Sequence, residues 1–269
     1  MKLDSNRAWK DAARSVSRNR EAIMAVAGVF FLLPQLALGL FFPQPTPSAG
    51  MSEQQVVELV QAYYVSAWPV LIPIFICQAI GTVALLRLLS HADRPTVGEA
   101  IRQSLPGVLT YLGAQIVLGV AIGLGGGLVL SVLALSGIAA LPVVGLLVLM
   151  VGIVAIVLRV SLSAPVVAIE GERSPIRVLR RSWMLTKGNS WRLLGFYALI
   201  FVALLAIQTV LSLVIGIPLA MLGEGTGAEV ILALASALLN AAMAVYLVAI
   251  IAAVHDQLAG DGADRRTFL

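Results

Sequence analysis

The chain has 269 residues, 59% of them hydrophobic and only 12% charged, with a mean hydropathy of +0.97 and a net charge of +4. That composition excludes an ordinary water-soluble domain, most plainly across 103–158, where no charged side chain of either sign occurs. The positive charge is spread between apolar stretches, which fits anionic headgroups and argues against a nucleic-acid partner.

All 18 Lys and Arg residues fall within 1–20, 87–102, 159–192 and 265–266. Each of the three gaps has room for two crossings of about 20 apolar residues. Translocation of Lys and Arg is disfavoured. The pattern therefore predicts an all-α polytopic membrane protein: six transmembrane helices in three hairpins, joined by cytoplasmic interfacial helices, with both termini cytoplasmic.

In chain order, the first expected element is a weakly amphipathic surface helix over 5–18, with Trp9, Ala13 and Val16 set against Arg7, Lys10, Arg14 and Arg18. The polar start contains Asp4, Asp11 and Glu21 and is too long for a secretory signal; despite the small-residue run Pro47-Ser48-Ala49, the first span is expected to stay uncleaved. Span one covers 22–42, with a kink expected at Pro34. An outer amphipathic helix is expected over 52–66, opened by the capping-box pattern Ser52-x-x-Gln55. Tyr63, Tyr64 and Trp68 fit an aromatic belt. Span two covers 69–89 and holds Cys77, the sole cysteine, so neither a disulfide nor a Cys-based metal site is expected.

A second surface helix is expected over 96–105, with Val97, Ile101 and Leu105 against Arg102, leading into span three at 108–130. Gly119, Gly123 and Gly127 give that span a small-residue face, expected to pack closely on another helix. The run Gly123-Leu-Gly-Gly-Gly lacks the Gly-Lys-Ser/Thr of a phosphate loop and follows no strand. Span four covers 138–158. The clearest surface helix is 174–187, where Ser174 is the expected N-cap and Pro175 occupies the first turn. Its wheel sets Ile176, Val178, Leu179, Trp183 and Leu185 against Arg177, Arg180, Arg181 and Lys187, an interfacial helix with Trp183 as anchor. Spans five and six cover 193–215 and 230–254. The three surface segments together suggest a repeated unit of surface helix, span, turn and span.

Gln35, Gln78, Gln115, Gln208 and Asn240 place one amide in each span except the fourth. They read as interhelical hydrogen-bonding groups or, alternatively, as the lining of a polar path. No ionisable side chain lies near mid-span, which argues against an ion-coupled carrier. His91 and His255 sit at span ends beside Asp93 and Asp256, and read as ordinary interfacial residues. Glu170, Glu172, Arg173 and Arg181 form the one ionisable cluster, read as charge-paired anchoring. No nucleophile elbow, carboxylate pair or Cys/His set points to catalysis.

The segments Ser163-Ala-Pro-Val-Val-Ala-Ile-Glu170, Arg181-Ser-Trp-Met-Leu-Thr-Lys-Gly188 and Trp191-Arg-Leu-Leu-Gly195 resemble the membrane domain attached to some glycerophosphoryl diester phosphodiesterases, a pattern that recurs in free-standing six-helix inner-membrane proteins. The resemblance rests on Pro165, Glu170, Arg181, Ser182, Trp183, Thr186, Gly188 and Trp191 and implies a bacterial inner-membrane location. In fused members catalysis belongs to a separate soluble barrel, for which this chain has no room, so no catalytic residue is carried over. The expectation is a non-catalytic module without a cofactor that organises anionic phospholipid or a membrane partner; the alternative is a transporter or lipid-moving channel.

Overall fold

The computed structural model describes residues 3–48, 50–90, 96–138, 140–221 and 226–264. The histidine–acid pair at His91 and Asp93 lies outside them, as does the basic pair at 265–266. Every element among the described residues is helical: α1 Ser5–Arg18, α2 Arg20–Ala27, a π-helical turn Gly28–Leu32, α3 Leu33–Phe41, α4 Glu53–Ser90, α5 Val97–Leu135, α6 Ala140–Val160, α7 Ser163–Ala168, α8 Pro175–Thr186, α9 Ser190–Met221 and α10 Thr226–Asp264. Six helices are long and apolar enough to cross a membrane, Arg20–Phe41 counting as one. This is a multi-pass membrane protein.

Two segments expected as separate surface helices are the first turns of long helices. Ser52 and Gln55 form the capping box read from the sequence, the Gln55 amide donating to Ser52 Oγ (3.3 Å) and the Ser52 amide to Gln55 Oε1 (2.9 Å). The helix they open runs on through Pro69 and Pro73 to Ser90. Likewise Thr96 caps α5 with Glu99 in a reciprocal box, and α5 continues through Pro106. A proline removes one backbone donor but does not end a helix whose neighbours hold it.

The expected break near Pro34 takes the form of a π turn. Leu33 N–H donates to Gly28 O, five residues back, just before the proline that has no N–H of its own. The wider turn pushes Phe30 and Phe31 toward α4. They meet Gly81, where an added Cβ would lie 2.7 Å from Phe30 Cβ and from the Phe31 ring edge. Only a glycine fits that crossing. The glycine face foreseen on span three is different: nothing lies within 4 Å of a Cβ built on Gly119, Gly123 or Gly127. A four-residue period positions small side chains but does not choose which helix, if any, covers them.

The core lies around α10 and α4, at the end of the molecule that carries the basic residues. Ile23, Val26 and Phe31 of the first span meet Val83, Leu85 and Leu86 of α4 and Val245, Ile250 and Val254 of α10. Half of the most apolar stretch of α10 is buried inside the protein and 33% of that of α4, whereas in α5 and α6 none of it is.

Candidate functional site

The connection from α6 to α9 is built as a short clasp at the basic end. Leu162 closes α6 onto α7, all six residues of which are buried. Arg159, in the last turn of α6, has a carbonyl that would otherwise lack an intrahelical donor. Ser182 and Thr186, one turn apart on the inner face of α8, both donate to that carbonyl, at 3.0 and 3.1 Å. The Leu162 amide donates in turn to Ser182 Oγ at 3.1 Å. Two small hydroxyls thus tie α8 to the end of α6, and both are fully buried. These are the motif positions Ser182 and Thr186, now with a physical role.

The start of α8 is held by a second set of bonds. Ser174 occupies the N-cap position, but its side chain makes no capping bond. Glu172 takes over: its Oε1 accepts from the Arg173 and Ser174 amides, at 2.8 and 2.9 Å, and pairs with Arg177 at 3.0 Å. A carboxylate there is favourable because the helix N-terminus is partially positive. Thr110 of α5 donates to Arg173 O at 3.2 Å, and Pro175 rests against Gly113 of α5, where a Cβ would lie 3.0 Å from Pro175 Cγ. Gly171 and Gly188, on either side of α8, adopt left-handed φ values of +73° and +88° that favour glycine.

Glu170 sits between α8 and α10. Arg181 grips it with two bonds, Nε to Oε2 at 2.8 Å and a second guanidinium nitrogen to Oε1 at 3.2 Å. From the other side His255 Nε2 approaches Oε1 at 3.0 Å. An ionised carboxylate only accepts, so that nitrogen carries the hydrogen. Burial by itself would push the Glu170 carboxyl up; hydrogen bonds from His255 and Arg181, with their positive charge, overcome it and bring the carboxyl down to about 2. The imidazole is 3% exposed, and its Nδ1 is buried without a hydrogen-bond partner, 3.7 Å from Asp256. The sequence reading placed Glu170 and Arg181 in a charge-paired anchor, which is found. It took His255 for an ordinary interfacial residue, and missed the bond across 85 positions because no local spacing links the two.

What α8 leaves outside differs from the wheel's simple halves. Val178, Ser182 and Thr186 face the protein, with Arg181 and Leu185 half-buried. The opposite stripe, spaced at four, seven, eight and eleven residues, carries Ile176, Arg180, Trp183, Met184 and Lys187, all exposed. Apolar and cationic groups therefore share one outer stripe, because polar Ser182 and Thr186 take inward places. Arg177 and Arg181, foreseen as lipid contacts, are paired with Glu172 and Glu170; Arg180, Lys187 and Arg192 form no ion pair among the described residues. The Arg159 guanidinium lies over the Trp183 ring at 4.7 Å from its centroid. Trp191 is 85% exposed just beyond, and Pro165 is buried in α7.

The span amides do not form a network. Gln115 donates to Tyr111 Oη at 2.9 Å and Asn240 to Ser236 O at 2.8 Å, each within its own helix. Gln35, Gln78 and Gln208 are half-buried, and no hydrogen bond joins any two of the amides among the described residues. No group of three or more His, Cys, Asp or Glu suited to a metal occurs among the described residues.

A family model described as "Domain of unknown function (DUF7847)" matches residues 3–258. The chain belongs to that family. The matched span runs from the start of α1 past His255, so the clasp and the Glu170 cluster both belong to the DUF7847 domain. No curated protein and no solved structure matches the chain. The family found carries no stated link to glycerophosphoryl diester phosphodiesterases.

Proposed function

We propose that this DUF7847 protein is a non-catalytic membrane module that holds anionic phospholipid at its basic face. One observation carries the reading: α8 presents Ile176, Trp183 and Met184 interleaved with Arg180 and Lys187, on a helix fixed in place by Ser182, Thr186 and Glu170. In the headgroup layer that stripe would bury its apolar side chains while Arg180, Lys187 and Arg192 reach phosphates, each contact contributing about 1 kcal/mol near a charged leaflet. The spans are then three hairpins, with α1 and α8 in the plane of the cytoplasmic leaflet and both termini on that side. The resemblance of Glu170, Arg181, Ser182 and Thr186 to the phosphodiesterase-associated membrane domain supports a bacterial inner-membrane location and a scaffold role.

The test replaces the three exposed cations, Arg180→Gln, Lys187→Gln and Arg192→Gln, together. The variant should insert and melt as the parent does but co-purify with markedly less phosphatidylglycerol or cardiolipin. Unchanged anionic lipid on a folded variant would remove the reading. Orientation is checked separately in a Cys77→Ala background: cysteines at Ser52 and Gly137 should react with an impermeant thiol reagent applied outside, and cysteines at Ser17 and Ser174 should not.

A further inference from the structure

The N-cap Asp4 and, within α1, Arg7, Asp11, Arg14 and Arg18 recur at spacings of three and four and so share one face. That face borders a cleft of about 800 Å³ whose other side is α10. The volume is within the range of about 300–1,000 Å³ usual for sites of small ligands. Ala249, Ala252 and Ala253 supply an apolar wall, and Asp256 and Gln257 continue it toward the helix end. The cleft is amphipathic across its width.

Its charges balance. Three arginines and three aspartates line it, so it is not a simple anion trap. Two of the aspartates have duties inside the protein. Asp4 Oδ1 accepts from the Asn6 and Arg7 amides and caps α1. Asp11 holds Arg14 at 2.9 Å and Arg7 loosely at 3.7 Å. Asp256 is different: its side chain is 63% exposed and lies 3.7 Å from His255 Nδ1.

Asp4 and Gln257 exchange two hydrogen bonds, Asp4 N to Gln257 Oε1 at 3.1 Å and Gln257 Nε2 to Asp4 O at 3.3 Å. The start of α1 is thereby moored next to Asp256. Arg7 stands three residues further along α1, about 4.5 Å down the axis, with a side chain 70% exposed. A cation on α1 and an acid on α10 thus flank the same end of the cleft, with the alanine wall running from there toward Ala249. Arg18 lies about 21 Å along α1 from Asp4, at the opposite end.

We infer that this cleft binds a zwitterionic phospholipid, its phosphate toward Arg7, its ammonium toward Asp256 and its acyl chain along Ala249, Ala252 and Ala253. Phosphatidylglycerol would satisfy Arg7 through its phosphate but offer Asp256 only neutral hydroxyls in place of an ammonium. The site is separate from the outer stripe of α8, so the two readings fail independently.

The experiment is native mass spectrometry of the full chain in detergent, titrated with phosphatidylethanolamine, phosphatidylglycerol and soluble glycerophosphoethanolamine. Phosphatidylethanolamine should bind about tenfold tighter than either of the others, as loss of one charge-assisted hydrogen bond or of the acyl contact predicts. Asp256→Asn should remove the preference for phosphatidylethanolamine over phosphatidylglycerol and Arg7→Gln should weaken both phospholipids about tenfold, both side chains being exposed, while Lys10→Gln, on α1 but outside the cleft, should change affinity by less than about twofold. The Arg180, Lys187 and Arg192 triple variant should keep it. Equal binding of the two phospholipids to the unaltered chain would overturn the assignment without any variant. Full competition by the soluble headgroup would overturn the lipid assignment, and an undiminished preference in folded Asp256→Asn or an undiminished affinity in folded Arg7→Gln would overturn the placement.

Discussion

Around α10, 50% of the most apolar stretch is buried among protein atoms; in α5 and α6, helices at least as apolar, none of it is. The first region has shaped contacts. The π turn at Gly28–Leu32 delivers Phe30 and Phe31 into the notch at Gly81, and Val83, Leu85 and Leu86 close around it. The second leaves Leu109, Leu124, Leu128, Leu135 and Val151 facing outward. Lipid tails are as apolar as leucine, so burying such residues against protein brings little preference over leaving them in the bilayer. Helices are joined where shape or a polar group makes contact specific. That is why α5, bare along its most apolar stretch, buries one face between Ala100 and Ala114, where Gly107, Thr110 and Gly113 meet α7 and the start of α8.

The sharpest way to break this comparison is a leucine on each glycine in turn. Gly81→Leu should cost about 3 kcal/mol, the upper end of ordinary overpacking, because backbone and two phenylalanines must move. It should appear as a clear drop in the melting temperature of the detergent-solubilised protein. A melt equal to that of the parent would mean that the crossing of the π turn and α4 is not a close one.

The next effect belongs to the clasp. Ser182→Ala strands the Leu162 amide and removes one donor from the Arg159 carbonyl, at a cost of about 2 kcal/mol. Hydrogen exchange should quicken at Leu162 while the α2–α4 region stays protected. Protection unchanged at Leu162 would show that α8 is not held through this hydroxyl.

Glu170→Gln should be smaller, about 1 kcal/mol at neutral pH, since the side chain is a quarter exposed and the amide keeps one acceptor. Its signature is the pH dependence. The folded carboxyl titrates at about 2 against an ordinary 4.5, so its contribution is present above 4.5 and lost as pH falls from 4.5 through about 2. Between pH 4.5 and about 6, below the ordinary imidazole range, the stability gap between parent and variant should therefore be flat, and it should close below pH 4.5. A gap that widens on acidification would contradict the ionised Glu170. Smallest of all, Gly123→Leu should shift stability by less than about 0.5 kcal/mol, as for a side chain with no protein neighbour. A loss matching that of Gly81→Leu would place a partner helix on that face.

Much of the clasp's composition was readable in advance, though not its workings. Glu170, Arg181, Ser182 and Thr186 stand out in the sequence as a motif, and Glu170 with Arg181 as a charge pair. That both hydroxyls converge on one carbonyl depends on how α6 ends, which hydropathy does not report. His255 carried no local signal at all. Arg177 and Arg181, conspicuous cations on the wheel, are committed to Glu172 and Glu170, leaving Arg180, Lys187 and Arg192 as the outward charges.

The distribution of 18 basic residues and the apolar gaps between them determined six long helices by themselves, because span length and charge exclusion are local properties of the chain. The Ser52 capping box was equally local, and it stands as read. Which helices touch was decided only in three dimensions. The glycine period on α5 and the amides of the spans promised contacts that are not made among the described residues, while Gly81, with no pattern to mark it, makes a close one. Between apolar helices periodicity carries no partner information; that choice rests on the fit of particular side chains and on the few polar groups that must find each other.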